Sequence, residues 1–339
     1  MTTARLANRW PADFLSLTNS KDFLKAFQPE LQMTEIERIK QEGWLPENFW
    51  NEEIRDEYLV SAEMKKVWAI EMDLYREVTR VLNKYNLRYF TDGGTTLGGV
   101  RHKGFIPWDD DLDICVPRED YEKLHQLASE FKDPYFLQST VTDPEYGYSF
   151  MRLRNSNTSV VVKPFTHAKF NQGIYIDIFP LDNATMEDIA PRMEKIKKLI
   201  LKNSAYMRKD FPEKSENDLQ KIKEFLDPNM KPIDIWNEIN KEATADNHME
   251  TGYWSTIVTT IFAPSKNIFP KSIFDSYKDI PFESISIRVP AGYHELMTIY
   301  YGNYMEFPPV EKRGNWHSME FYPDVPYKQL YKEMFGLEL

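Results

Sequence analysis

Cysteine is nearly absent from this chain: Cys115 is the one thiol among 339 residues. That excludes an internal disulfide and a cysteine-rich zinc site, and it suits a reducing compartment. Long apolar runs are missing as well. The longest stretches, such as TIVTTIFA at 256–263, fall far short of the roughly 20 residues that cross a bilayer, so membrane contact is expected to be peripheral at most. The opening MTTARLANRWPADFLSLTNSKDFLKAFQPE lacks the unbroken apolar core of a secretory signal. The expected location is the cytoplasm, with the inner face of the membrane as the alternative. Basic residues are outnumbered: 42 Lys and Arg against 53 Asp and Glu leave a net charge of −11. Such a balance disfavours a sequence-blind grip on nucleic acid, and no nucleic-acid partner is expected.

What is present is 42% apolar and 28% charged residues, the balance of a folded globular protein. Residues 1–58 mix short apolar runs with Pro, Asn and Glu and read as short helices packed onto the body. From 60 to 85, Val60, Met64, Val67, Leu74, Val78 and Val81 recur at helical spacing, with one turn occupied by Glu71. LRYF (87–90), LDICV (112–116), FMRLRN (150–155), SVVVK (159–163) and IYIDIF (174–179) are strand-like, and DYEKLHQLASEF (120–131) is helical. After Asp182 helices dominate. One opens at TMED (185–188); others are expected at 217–226, 235–250, 292–301 and 325–336, with a strand ISIRV at 285–289. The texture divides the chain into an extension at 1–58, a core at 59–183 and a mostly helical region at 184–339, an α/β (α+β) arrangement.

The segment WDDDLDICV (108–116) concentrates charge at the edge of an apolar strand. Residues two apart on a strand share a face. Asp111 and Asp113 therefore project to one side, and Leu112, Ile114 and Val116 to the other. Asp177, centred in IYIDIF, repeats the pattern. A lone carboxylate in so apolar a strand is costly unless compensated. If the two strands are neighbours, three carboxylates converge, and a hard divalent cation relieves their repulsion. Oxygen ligands on rigid strands suit Mg²⁺ or Mn²⁺. A calcium loop is the weaker reading, because Ile114 stands where that loop needs Gly and Asp120 where it needs Glu. Helix capping or turn formation competes for Asp109 and Asp110, and a purely structural role for Asp111 and Asp113.

DGGTTLGG (92–99) places Gly93 and Gly94 between a strand and a short helix. Backbone N–H groups there approach an anion, and the hydroxyls of Thr95 and Thr96 add donors; an ordinary tight turn is the alternative. Arg101, His102 and Lys103 follow, and Arg152 and Arg154 alternate with Met151 and Leu153 on one face of a strand. Bases beside a metal site suit a pyrophosphate, although each also fits a solvated surface. His102 serves a phosphate contact better than a general base.

The blocks YFTDGGTTLGGVRHKGFIPWDDDLDICVPREDY (89–121), IYIDIFPLD (174–182) and YYGNYMEFPPVEKRGNWH (300–317) resemble the LicD family of the nucleotidyltransferase-fold superfamily, which includes fukutin-related proteins. The resemblance implies a nucleotidyltransferase-like mixed sheet flanked by helices, catalytic metal held by Asp111, Asp113 and Asp177, and phosphate-loop glycines at Gly93 and Gly94. It also implies transfer of phosphocholine from CDP-choline to a sugar hydroxyl of a cell-surface glycan precursor, of teichoic acid or lipopolysaccharide type, with release of CMP. Two Mg²⁺ ions would bridge the donor phosphates, with Arg101, Lys103 and Arg152 neutralising the leaving nucleotide. A choline ammonium favours an aromatic cage. The candidates are Trp108, Tyr146, Tyr148, Phe165, Tyr175 and Trp316, all of them equally suited to filling a core. Arg313 and His317 would close over the nucleotide or lie in a solvated loop. The long helical insertion around 190–280 departs from the family pattern. Rival readings are transfer of phosphoethanolamine, an alditol phosphate or a whole nucleotide, and a glycan-binding or scaffold protein without catalysis.

Overall fold

The computed structural model describes residues 33–259, 262–314 and 319–339. Within them the chain first forms α1 (Glu35–Glu42), the hairpin β1 (Glu53–Arg55) and β2 (Tyr58–Val60), and the long helix α2 (Ala62–Lys84). Thr34 caps α1 in a reciprocal box with Glu37, and Ser61 caps α2 through a bond from the Met64 amide. Next come β3 (Phe90–Thr91), α3 (Gly93–Arg101), β4 (Asp113–Pro117), α4 (Arg118–Gln126), β5 (Tyr135–Gln138), β6 (Met151–Asn155), β7 (Ser159–Val161) and β8 (Ile174–Ala184). The remainder holds α5 (Ile189–Arg208), α6 (Glu216–Phe225), α7 (Pro232–Ala243), β9 (Tyr253–Ser255), β10 (Phe269–Pro270), β11 (Tyr277–Phe282), β12 (Ile285–Pro290), α8 (Tyr293–Tyr301), β13 (Glu320–Tyr322) and α9 (Tyr327–Phe335). A mixed sheet flanked by helices is the expected architecture, and it is the one observed.

The long strand β8 organises that sheet. On one side it pairs in parallel with β4, which pairs antiparallel with β3. On the other, its first half pairs with β6, and β6 with β5; its last residues pair with β9, and β9 with β10. One face of the sheet, carrying Ile114, Val116, Leu153, Ile176 and Ile178, packs on Val67, Ile70, Leu74 and Val78 of α2. The other face, with Phe90, Cys115 and Phe179, is covered by Leu97 of α3 and by Leu296, Met297 and Tyr300 of α8. Strand alternation thus feeds two cores, at roughly 25 cal/mol per Å² of apolar surface removed from water.

Several elements differ from expectation. The strand expected at 87–90 forms at Phe90–Thr91, because the Asp120 carboxylate, and no neighbouring strand, takes the Arg88 amide at 3.2 Å. The helix expected at 120–131 ends at Gln126 and tightens into a 3₁₀ turn. The strand at 159–163 stops at Val161, ahead of Pro164. TMED is a turn ahead of α5: Thr185 and Asp188 bond each other, and the helix opens at Ile189. The helix expected at 235–250 spans Pro232–Ala243. Of the extension at 1–58, residues 1–32 lie outside the described residues. Residues 33–58 hold one helix and a hairpin strand as well as a short 3₁₀ turn, and Ile36, Ile39 and Phe49 join the main core. Strands β5, β9, β10, β11 and β13 were not expected. All but β11, which has six residues, are short, and β9, β10, β11 and β13 lie within the helix-rich stretch.

Candidate active site

The parallel register of β4 and β8 sets Asp113 directly beside Asp177, and the Asp177 amide donates to the Leu112 carbonyl at 3.1 Å. Partners in register point to the same face. The turn between β3 and α3 closes over this point. Its Asp92 amide donates to the Asp113 carbonyl at 3.1 Å, and Thr95 Oγ1 accepts from the Asp113 amide at 2.8 Å. Gly93 has φ +48, which glycine adopts without strain. A Cβ there would lie 3.7 Å from Asp113 Oδ2 and 3.8 Å from the Tyr301 hydroxyl; on Gly94 it would come within 2.7 Å of Asp109 Oδ2. Gly94 therefore makes room for the Asp109 carboxylate, while Gly93 supplies the left-handed turn that opens α3.

Electrostatic strain marks the site. Burial pushes the Asp113 carboxyl well above the usual range, and Asp111, Asp177, Asp92 and Asp109 push it further. Burial raises Asp92 to about 6, against hydrogen bonds from the Gly93 amide and from the Tyr300 hydroxyl at 3.0 Å. Glu71 on α2 is buried and raised in the same way, burial first and then Asp111, Asp110, Asp109 and Asp113. Its Oε2 has no hydrogen-bond partner among the described residues. Tyr301 keeps 36% of its surface exposed, yet its hydroxyl is raised by burial and by Asp92, Asp109, Asp113 and Asp111. Glu71, Asp92, Asp109 and Tyr301 thus join the cluster without having been singled out for it. Glu71 was visible as a break in an apolar stripe, and Tyr301 sits in the YYGN segment of the resemblance.

Asp177 is also one half of a buried ion pair. Arg152 Nε lies 2.5 Å from its Oδ1 and Nη2 3.3 Å from its Oδ2. The guanidinium carbon of Arg152 sits 3.7 Å from the Tyr175 ring centre, 4.1 Å from Tyr148, 5.6 Å from Phe150 and 6.0 Å from Tyr146. Three cage candidates therefore surround a cation of the protein's own. Arg154 shares that face, as strand alternation requires, but bonds Gln138 Oε1 and the Gly173 carbonyl in the interior. Phe165 packs edge-on against Tyr148, with Arg208 over its ring.

Trp108 belongs to a separate cluster. Its ring lies under Arg313 at 5.1 Å and beside His102 and Phe307. His102 has both ring nitrogens engaged: Nδ1 stands 2.7 Å from Asp56 Oδ2, and Nε2 accepts from Arg101 Nε at 2.8 Å. Burial lowers its pKa, and Arg101 adds to the shift. Arg101 also donates to the carbonyls of Tyr304 and Glu306, and Arg313 to those of Pro308 and Asp56. Arg101 thereby ties the segment after α8 to the C-terminal end of α3, and Arg313 ties it to the β1–β2 turn. Lys103 is exposed at a turn with φ +57. Trp316 and His317 lie outside the described residues.

A family model described as LicD/FKTN/FKRP, nucleotidyltransferase domain, matches residues 86–223, which contain the glycine turn, the aspartate run and β8. This chain carries a LicD-family domain. The lipopolysaccharide cholinephosphotransferase LicD of Haemophilus influenzae is 28% identical over 249 residues, covering 70% of this chain and 90% of the relative. An uncharacterized protein of Rickettsia prowazekii is 36% identical over 94 residues, 28% of this chain and 34% of that protein. The human ribitol 5-phosphate transferase FKRP is 42% identical over 52 residues, 15% of this chain and 10% of FKRP.

The LicD domain's carboxylates suit a hard cation by chemistry: every donor is an oxygen, and Asp113 is buried among like charges that an ion would neutralise. Their placement is less complete. Among the described residues, no three His, Cys, Asp or Glu side chains are already gathered closely enough to enclose an ion, and Asp177 is turned to Arg152. No described helix is long and apolar enough to cross a membrane.

Proposed function

We propose that this LicD-family protein is a metal-dependent transferase. It would move phosphocholine, or a similar phospho-substituent, from a CDP-activated donor to a sugar hydroxyl of a glycan precursor of teichoic acid or lipopolysaccharide type, releasing CMP. The observation that supports this most is the register of Asp113 beside Asp177 under the Gly93-Gly94 turn, inside the stretch matched by the family model. The relative that the chain covers to 90% is named a cholinephosphotransferase, which puts phosphocholine first.

In this reading the amide of Gly94 and the O–H of Thr95 bind the donor's phosphates at the start of α3, on the turn that Gly93 makes. Asp111 and Asp113, with Asp177, would hold Mg²⁺ or Mn²⁺, which supplies charge neutralisation to the phosphates. Arg152 fixes the orientation of the Asp177 carboxylate, so that it can accept a hydrogen bond from the attacking hydroxyl. Tyr301 closes the site from the C-terminal side. A second reading, an alditol phosphate as the group moved, is favoured by Arg152 filling the space between Tyr148 and Tyr175, because a choline ammonium then has no place there. The test is CMP release with Mg²⁺ from CDP-choline, CDP-ethanolamine and CDP-ribitol, each offered with a sugar acceptor. Release from one donor, abolished by chelation, is the expected result; no release from any of the three would end the proposal.

A further inference from the structure

A cavity of about 350 Å³ lies at the end of β3 away from Asp92 and Gly93, and its size falls in the range that small ligands fill. Asn83, Asn86, Arg88, Tyr89, Tyr277 and Arg288 line it, together with Leu87, Phe90 and the carboxylate of Asp120, which Arg88 holds. Arg288 is fixed at its backbone: the amide donates to the Tyr75 hydroxyl at 3.0 Å, and the carbonyl accepts from Thr91 Oγ1 at 3.2 Å. Its guanidinium carbon lies 3.8 Å from the centre of the Tyr277 ring and 4.4 Å from that of Tyr89. Stacking against rings leaves the edge of a guanidinium, with its N–H donors, as the part it presents. Only Nε of Arg288 meets a carboxylate, Asp279 at 3.5 Å. Arg88 is similar, with Nε on Asp120 at 2.7 Å. Among the described residues, the Nη groups of neither arginine make a hydrogen bond within the protein.

Two guanidinium edges in one cavity of a chain with net charge −11 form a local receptor for an oxyanion. The asparagine amides each offer a donor and an acceptor, as sugar hydroxyls require, and the Tyr277 ring, 51% exposed, offers an apolar face. We infer that this cavity binds a small phosphorylated sugar, with the phosphate on Arg88 and Arg288 and the sugar ring against Tyr277. The site stands apart from the aspartates and does not rest on the transferase reading.

The experiment is calorimetric titration of the full chain with glucose 6-phosphate, glucose and inorganic phosphate, in EDTA so that no cation holds phosphate at the aspartates. Glucose 6-phosphate should bind saturably at one site, with glucose and inorganic phosphate each weaker by about tenfold or more. Arg288→Gln should weaken glucose 6-phosphate by about tenfold or more. Tyr277→Ala, which removes the sugar's ring contact and one of the two rings that seat Arg288, should weaken glucose 6-phosphate by more than it weakens inorganic phosphate. Circular dichroism checks that Arg288→Gln folds; if it does not, Tyr277→Ala decides. The inference is overturned by absence of saturable binding, by variants that bind as the wild type does, or by inorganic phosphate binding as tightly as the sugar phosphate.

Discussion

Asp113 concentrates the conflict on which the site is built, a buried carboxylate with Asp111, Asp177, Asp92 and Asp109 around it. Charge held against like charge costs stability and is retained where something must be bound. Asp113→Asn should therefore lower CMP release by orders of magnitude while melting at the wild-type temperature or above it; wild-type turnover in this variant would remove Asp113 from the chemistry. A second titration lies far from the aspartates. His125 is half-buried on α4, 2.8 Å from Ser139 Oγ, and burial lowers its pKa from 6.5 while Glu122 opposes the shift. The unfolded chain then takes the proton more readily than the folded one. The stability involved is complete above 6.5 and is lost as pH falls through 6.5 toward the lowered value. Between about pH 7 and about pH 5 the urea midpoint of the wild type should drop more than that of His125→Gln; parallel curves would contradict this. The strand pair of Asp113 and Asp177 was legible because side chains alternate with period two. Glu71 and Tyr301 were less so, because a helix packed across the sheet and a tail nearly two hundred residues downstream reach the site only through tertiary packing.

At the scale of elements, β6 and β8 form the ladder that presents Arg152 to Asp177. Both side chains are largely buried, 7% and 13% exposed. Removing one partner of such a pair typically costs about 3–5 kcal/mol, while removing both can cost little. Arg152→Met should thus destabilise strongly, and Arg152→Met with Asp177→Asn should recover most of the loss in urea unfolding. Additive losses would mean that the aromatic packing around Arg152, and not the ion pair, fixes it. The sequence placed Arg152 and Arg154 on one face, as alternation requires, but could not say what met them there. Among the described residues proposed as a cage, Tyr146, Tyr148 and Tyr175 face Arg152, Phe165 faces Arg208 and Trp108 faces Arg313, since a list of rings carries no information about which cation each one faces.

For the whole molecule, the three-part division at 58 and 183 describes texture along the chain, and the packing crosses both boundaries. Strand β8 runs from Ile174 to Ala184, and its last residues pair with β9. One face of the sheet, with Phe90, Cys115 and Phe179, is covered by Leu296, Met297 and Tyr300, while Ile36 and Ile39 of α1 complete the core on the other. A fragment of residues 59–183 would leave the sheet bare where α8 belongs, and that apolar area, at roughly 25 cal/mol per Å², stays in contact with water. The full chain should therefore unfold in urea as one transition, coincident by tryptophan fluorescence and circular dichroism. The isolated fragment should show no cooperative transition. A fragment that unfolds cooperatively would make the core an independent domain, and the reach of Tyr300 and Tyr301 into the aspartates would then be a contact between domains, free to open and close around substrate.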